Sequence, residues 1–261
     1  AGFGHKQFGE LTYGNMTTIT DEVTQSDLAN TYSLTDGLLE TSARRVTQYV
    51  YNGDYGSNKV KFGAYYGGSS KRNIKNVDLK NNRKNTWGTG LIFDHEIDSI
   101  QNVTVAAGFT REISENANKT AYYSNAYALG LAYNFVHTTY GLDFAHKDTK
   151  NKDGAGNKVK NNEVTAVIRQ GLNEDWNVYA MYSYKTEKTL PVGSAYSKST
   201  DRQFLVGTEY YVYNQGSLKV KPFLEWQATR TKYENTFDKD SGKQLDRSRD
   251  FKTVIGLRAY W

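Results

Sequence analysis

Alternation of apolar and polar residues is the main pattern along this chain. The clearest case is segment 58–67, where one set of alternate positions is apolar or aromatic: Val60, Phe62, Ala64 and Tyr66. Lys59 and Lys61 lie between them. Successive side chains of a β-strand point to opposite faces, so a period of two predicts a strand with one apolar and one polar face.

The same pattern recurs in twelve segments, and we expect twelve antiparallel strands of roughly ten residues, long enough for a tilted strand to cross a bilayer. The polar faces carry Lys, Glu, Arg, Gln and Gly, which suit a water-filled lumen better than the interior of a soluble sandwich. The sequence therefore predicts an all-β fold, an antiparallel transmembrane β-barrel forming a single domain over residues 1–261. The predicted strands are 5–14, 44–51, 58–67, 87–93, 102–111, 121–135, 140–145, 163–169, 176–185, 203–212, 219–228 and 251–261.

The connections between these strands alternate in length. Outer-membrane barrels have long external loops and short periplasmic turns, so this alternation favours the barrel and places every long connection on one side. The long connections are 15–43, 69–84, 112–120, 148–160, 186–200 and 233–247. The short connections are 52–57, 94–101, 134–137, 171–175 and 213–218.

All four tryptophans fall on the predicted apolar face. Trp176 and Trp261 lie near the short-turn end of their strands, and Trp87 and Trp226 lie toward the other end. Because Trp is enriched at both membrane interfaces, we expect these residues to contribute to aromatic girdles.

The composition is compatible with this fold. Only 38% of the residues are hydrophobic, but 14% are aromatic and there are only 2 prolines, a combination that favours strands. No apolar run approaches the roughly 20 residues of a transmembrane helix. The absence of cysteine suits passage through an oxidising periplasm. The net charge is +5, but Lys and Arg are spread along the sequence without a cluster, so we expect no nucleic-acid partner.

Candidate catalytic and metal-binding motifs are weak. The four histidines show no metal-ligand spacing, and the loop that begins at Asp148 has Lys150 where a calcium loop needs an oxygen ligand. We therefore expect no metal and no cofactor. His146 and Asp148 are the best candidates for a hydrolase, and they keep open the alternative of an outer-membrane barrel enzyme of phospholipase or protease type.

The longest connection, 15–43, carries charges of only one sign. A connection of this length inside a compact domain is usually functional. It contains no Lys or Arg, and Arg44 and Arg45 follow it directly. Its acidic residues are Asp21, Glu22, Asp27, Asp36 and Glu40.

Two stretches resemble Gram-negative outer-membrane porins. The chain ends in GlyLeuArgAlaTyrTrp, which is similar to the aromatic-terminated final strand that serves these barrels as an assembly signal. PheGlyGluLeuThrTyrGly at 8–14, the acidic connection and ArgArgValThrGlnTyrVal at 44–50 resemble the constriction-loop region of general trimeric porins, most closely those of the Haemophilus and Pasteurella group. The resemblance covers essentially the whole chain.

The resemblance implies sixteen strands, with the constriction loop after the fifth. Here that loop follows the first recognisable strand, so about four N-terminal strands are missing relative to the family pattern. We expect the chain to be a fragment, with a naturally shortened barrel of twelve strands as the alternative, since an even strand number permits closure.

The resemblance also implies a function. It predicts a homotrimeric channel in the outer membrane, not an enzyme, for passive diffusion of small hydrophilic solutes and ions. Acidic residues of the loop would face basic residues of the barrel wall across the pore. The expected acidic residues are Asp36 and Glu40, followed by Asp21, Glu22 and Asp27. The expected basic residues are Arg45, facing inward with Thr47 and Tyr49, its neighbour Arg44, and Lys61.

Membrane lipid and lipopolysaccharide are the other expected partners. The basic segments 71–84 and 147–160 are candidates for contact with lipopolysaccharide phosphates, and the alternative is that they are simply solvated loops.

Overall fold

A computed structural model describes residues 1–70, 82–116, 119–152, 157–190, 196–216, 218–235 and 244–261. Within these ranges, fourteen antiparallel strands form one continuous sheet in which neighbours in sequence pair with each other, except that the eleventh and twelfth strands both pair with the thirteenth. The strands are β1 Gly2–His5, β2 Gly9–Thr17, β3 Ser42–Tyr55, β4 Asn58–Gly67, β5 Asn82–Asp98, β6 Gln101–Asn116, β7 Lys119–Phe135, β8 Thr138–Asn151, β9 Lys158–Gly171, β10 Trp176–Leu190, β11 Ser197–Tyr210, β12 Tyr213–Gln215, β13 Leu218–Asn235 and β14 Gln244–Tyr260. No helix in the described part is both long and apolar enough to cross a membrane.

All twelve predicted strands are present, and the sequence missed two short ones. The predicted strand 5–14 is a hairpin of β1 and β2, with a turn at residues 6–8 and Gly9 at a φ of +80°. The other short strand, β12, pairs with β13 as β11 does and continues β11 after an interruption at residues 211–212.

Most strands are longer than predicted. β13 has 18 residues, whereas the alternating pattern marked only 219–228. The alternation of apolar residues marks only the part of a strand that faces lipid. Beyond that part, both faces of the strand are polar, although the backbone pairing continues. The predicted loops therefore shrink: Tyr233 and Asp246, both assigned to the loop 233–247, pair in register. Residues 71–81 of the predicted loop 69–84 lie outside the described residues.

The two faces of the sheet differ as expected. Large apolar side chains such as Leu91, Leu129 and Leu224 are exposed on the outward face. Inward positions on the same sheet are buried although many are polar, for example Thr165 and Glu225. All four tryptophans are exposed, and Trp176 and Trp261 lie at the short-turn ends of their strands. Their role in a girdle stays a prediction.

The connection between β2 and β3 packs against the inward face of the sheet. It begins with the 3₁₀ segment Ile19–Val23. Ile19, Val23 and Leu39 form one apolar cluster with the wall, and Leu34 is fully buried in another with Val167, Tyr179, Met181 and Leu205. Each fully buried side chain of this size contributes about 1.5–3 kcal/mol.

The sheet is wrapped around this connection but is not closed. Among the described strands, β1 lies at one edge and β14 at the other, and they do not pair with each other.

Candidate functional site

The inward-packed connection, residues 18–41, is called the lumen loop below. Its two ends are joined at the wall. The Thr18 backbone N–H donates to the Thr41 carbonyl at 2.8 Å, and the Thr20 hydroxyl donates to the Glu40 carbonyl at 2.8 Å. The Tyr65 hydroxyl on β4 donates to the same Glu40 carbonyl at 3.0 Å. These bonds close the neck of the loop and tie it to the sheet.

Glycines on five successive strands provide a smooth surface beneath the first half of the lumen loop. A Cβ at Gly130 would lie 2.1 Å from the Val23 carbonyl oxygen, and one at Gly141 would lie 2.6 Å from the Gln25 carbonyl oxygen. Only glycine allows the two backbones to approach this closely. We call this surface the glycine track; its members are Gly63, Gly90, Gly108, Gly130 and Gly141.

Carboxylates of the wall hold the backbone of the lumen loop. Asp143 on β8 accepts the backbone N–H of Gln25 at 2.9 Å and that of Ser26 at 2.7 Å. Glu163 on β9 accepts the backbone N–H of Asp36 at 3.0 Å. Hydrogen bonds to an ionised acceptor are stronger than neutral ones, so a carboxylate fixes the loop more firmly than a hydroxyl would.

Glu225 on β13 is the third such carboxylate. It is fully buried and accepts backbone N–H groups from three consecutive loop residues, Asn30, Thr31 and Tyr32, the last two at 3.0 Å. Tyr179 donates its hydroxyl to Glu225 at 2.7 Å. The sequence predicted basic partners for the loop, and these carboxylates, which bind its main chain, were not predicted.

The side chain of Asn30 joins the loop to a charged cluster on the wall. Its Nδ2 donates to Glu209 at 2.9 Å. Glu209 also contacts Arg169 at 2.6 Å and Lys221 at 2.5 Å. The Asn30 carbonyl accepts a hydrogen bond from Arg258 on β14, so the loop reaches the last strand of the sheet.

The structure brings three of the five predicted acidic residues against basic residues of the wall. Lys61 contacts Glu22, with Nζ 2.6 Å from Oε2. Lys185 pairs with Asp36. The third predicted acid, Glu40, lies 2.9 Å from Arg83 and 3.4 Å from Lys147.

These acidic residues differ in their access to water. The side chains of Glu22 and Asp36 are 49% and 52% exposed, whereas that of Glu40 is 9% exposed. Asp21 and Asp27 are exposed. Partial desolvation raises the pKa of the Asp27 carboxyl.

Arg44 and Arg45 do not occupy the inward position that the sequence predicted. A β-bulge places both of them opposite one residue of β2, and Arg45 has a φ of +54°. Beyond the bulge, Val46 is fully buried on the inward face, so Thr47 and Tyr49 lie on the other face. The extra residue reverses the phase of the alternation, which a strict period of two could not anticipate.

Arg83 is one of the basic wall residues that the sequence did not predict, together with Lys147 and Lys185. It was assigned to the loop 69–84, but it lies in β5 and its side chain is 4% exposed between Glu40 and Glu112. A bulge between Arg83 and Asn85 shifts the register, so Arg83 points inward although its odd number matches the outward Trp87. The irregularity that turns this side chain inward is not visible in the sequence.

The hydrolase candidates lie away from the lumen loop. His146 and Asp148 approach to 3.3 Å on β8, in phase with the outward-facing Phe144. His146 also contacts Asn162 and the Tyr127 ring, and Asp148 also contacts Lys158. Across the described residues, no group of three or more His, Asp or Glu side chains is arranged to hold a metal ion.

A family model described as Gram-negative porin matches residues 1–221. The chain belongs to the Gram-negative porin family. This membership confirms the predicted outer-membrane location and porin function, and it favours a channel over the barrel-enzyme alternative.

Solved structures of other outer-membrane proteins share the fold of this porin. Outer-membrane expressed OmpT of Vibrio cholerae superposes with a TM-score of 0.66 at 16% identity, covering 97% of this chain and 77% of that one. The trimer form of in-vitro folded OmpT gives 0.64 at 15% identity, with 97% and 77% covered. The anion-selective porin from Comamonas acidovorans gives 0.64 at 14% identity, with 97% and 75% covered. These similarities confirm the antiparallel β-barrel architecture.

Proposed function

We propose that this porin conducts small hydrophilic solutes and ions through a water-filled lumen, and that the lumen loop forms the narrowest part of the path. The observation that carries the proposal is the span of the loop. Ile19 packs on the β4 and β5 wall, and Asn30 contacts Glu209 on β11 and Arg258 on β14. A segment that contacts strands this far apart lies across the space that the sheet encloses.

The charges of the loop and wall supply an electrostatic filter. Glu22 and Asp36 are half exposed on the loop, and Lys61 and Lys185 oppose them on the wall. Each pair creates a field between the loop and the wall that orients water and dipolar solutes. We propose Glu22, Asp36 and Lys61 as filter residues, with Asp21 and Asp27 adding negative charge on the exposed side of the loop.

Glu40 has a different role in this proposal. Its carboxylate is buried against Arg83, so it anchors the loop instead of facing the solute. The bulged residues Arg44 and Arg45 are outside the filter. Asp143, Glu163 and Glu225 position the loop backbone and keep the filter geometry fixed before a solute arrives.

We also propose that the chain works as a single-domain barrel in a homotrimer. One structural neighbour is the trimer form of OmpT of Vibrio cholerae, and the outward face of this chain offers a broad apolar surface. Light scattering of the detergent-solubilised protein, corrected for bound detergent, tests this: three chains per particle are expected, and a monomer contradicts it.

Conductance across a planar bilayer tests the channel. We expect stepwise currents whose size rises in proportion to salt, because ions cross a wet pore without saturating a binding site. The absence of steps from correctly folded protein overturns the channel proposal.

Cysteine labelling tests the place of the loop separately. The chain has no cysteine, so Asp27→Cys introduces a unique thiol. A bulky thiol-reactive reagent should lower the conductance of this variant. Leu129→Cys, on the exposed outward face, is the matched control and should conduct as before. If labelling at position 27 leaves the steps unchanged, the loop does not form the constriction, even though the channel itself stands.

A further inference from the structure

Three arginines stand side by side on the outward face of the sheet. Arg202 on β11 pairs in register with Arg230 on β13, and Arg230 pairs with Arg249 on β14. All three are exposed. The neighbouring row adds Lys232 and Arg247, which also pair in register. These five residues, called the basic patch below, belong to three adjacent strands in the C-terminal part of the chain.

This arrangement of arginines does not stabilise the sheet. Like charges directly opposite each other on adjacent strands are destabilising. Within the described residues, Arg202, Arg230 and Arg249 make no ion pair with a carboxylate. The guanidinium carbon of Arg202 lies 5.9 Å from the centre of the Tyr184 ring. An anionic ligand would offset the repulsion.

The patch has the shape as well as the charge of an anion site. A groove of about 200 Å³ runs between the basic side chains, lined by Thr200, Arg202, Arg230, Lys232 and Arg247. Guanidinium groups bind phosphate through two parallel hydrogen bonds, and Thr200 adds a hydroxyl donor.

The position of the patch indicates the level of the membrane at which the ligand lies. Phe204 and Phe251 are two residues from Arg202 and Arg249 on the same outward face, and both contact Trp226. These aromatic residues belong to the exposed apolar band. On the other side of the patch, β10 ends at Leu190 and β13 ends at Asn235, within the connections 186–200 and 233–247 that the sequence predicts on the external side of an outer-membrane barrel. The patch therefore lies at the headgroup level of the external leaflet.

We propose that the basic patch binds the phosphate groups of lipopolysaccharide in the external leaflet. Lys232 already pairs with Glu234 at 2.5 Å. The four arginines, spread over two rows and three strands, match a headgroup with more than one phosphate better than a lipid with a single phosphate. This site differs from segments 71–84 and 147–160, for which the sequence predicted the same ligand. It rests on the outer-membrane location and is independent of the filter in the lumen.

Neutralising the row of arginines tests the site. The variant is Arg202→Gln/Arg230→Gln/Arg249→Gln, and the control is Lys84→Gln/Lys150→Gln/Lys158→Gln, which removes three charges from the two segments predicted by sequence. Purified protein in non-ionic detergent is titrated with lipopolysaccharide, and affinity is measured by thermophoresis. At about 1 kcal/mol for each basic residue near a phosphate surface, the patch variant should bind about 100-fold more weakly, and the control less than about threefold. Equal affinities of variant and wild type, or a larger loss in the control, overturn the proposal.

The source of the phosphate is tested in parallel titrations. Wild-type protein should bind dephosphorylated lipopolysaccharide as weakly as the patch variant does. Inorganic phosphate and phosphatidylglycerol should compete poorly, because each presents one phosphate. Equal binding of phosphatidylglycerol contradicts the assignment to lipopolysaccharide and leaves a general anionic-lipid surface.

The conductance of the patch variant and the affinity of a single substitution are further controls for the lipopolysaccharide titration. The patch variant should conduct like wild type in neutral phosphatidylcholine bilayers, because its substitutions lie outside the lumen. If the triple variant fails to fold, Arg230→Gln at the centre of the row should still lose about fivefold in affinity. Loss of the oligomer with unchanged lipopolysaccharide affinity overturns the proposal in favour of a contact between copies.

Discussion

Ser26 donates two hydrogen bonds to one carboxylate oxygen of Asp143, from its backbone N–H at 2.7 Å and from its hydroxyl at 2.5 Å. The other oxygen of Asp143 accepts the Gln25 N–H. One wall carboxylate thus fixes two consecutive residues of the lumen loop, directly where the loop leaves the glycine track. An acid on the wall can bind this acidic loop because its partners there are the main-chain N–H groups and the Ser26 hydroxyl.

Asp143→Asn should loosen the lumen loop locally. The variant keeps one acceptor oxygen but directs an amide donor at the loop's N–H groups, and a hydrogen bond to a charged group contributes about 1.5–3 kcal/mol. Hydrogen exchange of the Gln25 and Ser26 amides should accelerate by roughly 10- to 100-fold. Asp148→Asn, on the outward face of the same strand, is the control and should leave these amides protected. Unchanged exchange in Asp143→Asn would show that the apolar clusters hold the loop alone.

The variant Glu22→Gln/Asp36→Asn should shift the permeability ratio toward anions. Removing these carboxylates leaves Lys61 and the buried Lys185 without their acidic partners on the loop, so the local potential becomes more positive. The reversal potential under a salt gradient measures the shift, with Asp148→Asn as the control. The shift should shrink as salt rises, because the screening length falls from about 10 Å at 0.1 M to about 3 Å at 1 M. A reversal potential that does not move places both residues outside the filter.

Arg83→Met should destabilise the protein as a whole. Arg83 is almost fully buried between Glu40 and Glu112, and removing one partner of a buried ion pair costs about 3–5 kcal/mol. We expect the lower end of that range, since Lys147 still faces Glu40. Urea unfolding in lipid vesicles measures the loss.

Lys84→Met is the control for Arg83→Met. Lys84 is the neighbouring residue, its side chain is 51% exposed, and its contact with Glu115 is 3.6 Å long. The exposed pair should contribute less than about 1 kcal/mol. Equal stabilities of the two variants would show that burial of Arg83 contributes nothing to the fold.

Gly130→Val should displace the lumen loop from the wall. Any side chain at this position meets the Val23 carbonyl oxygen, which a Cβ would approach to 2.1 Å. The strand itself tolerates valine, so we expect a folded barrel whose conductance differs from wild type in mean value and in noise. Leu129→Val, the adjacent outward position, should conduct normally. Normal conductance of Gly130→Val would mean that the loop can lift from the track without changing the pore.

Alternation along the chain predicted twelve of the fourteen described strands and, away from the bulges, their two faces. The prediction succeeds because a strand that separates lipid from water must change polarity at every residue, and this alternation is visible within each short segment of the sequence. The same reasoning identified the lumen loop, since its length and one-sign charge are also local features.

Only the tertiary structure decided which side chains meet. Bulges reverse the inward–outward alternation at Arg45 and at Arg83. Arg45, which was predicted to face the lumen, therefore does not, and Arg83, which was not predicted, does. The anchoring of the loop by Asp143 and Glu225 depends on residues that are more than a hundred positions apart in the chain. Lys and Arg that are scattered in the sequence gather into the basic patch because register aligns Arg202, Arg230 and Arg249. Hydrophobic periodicity and charge are properties of a single segment of the sequence, whereas strand register and β-bulges are determined by the pairing between two segments.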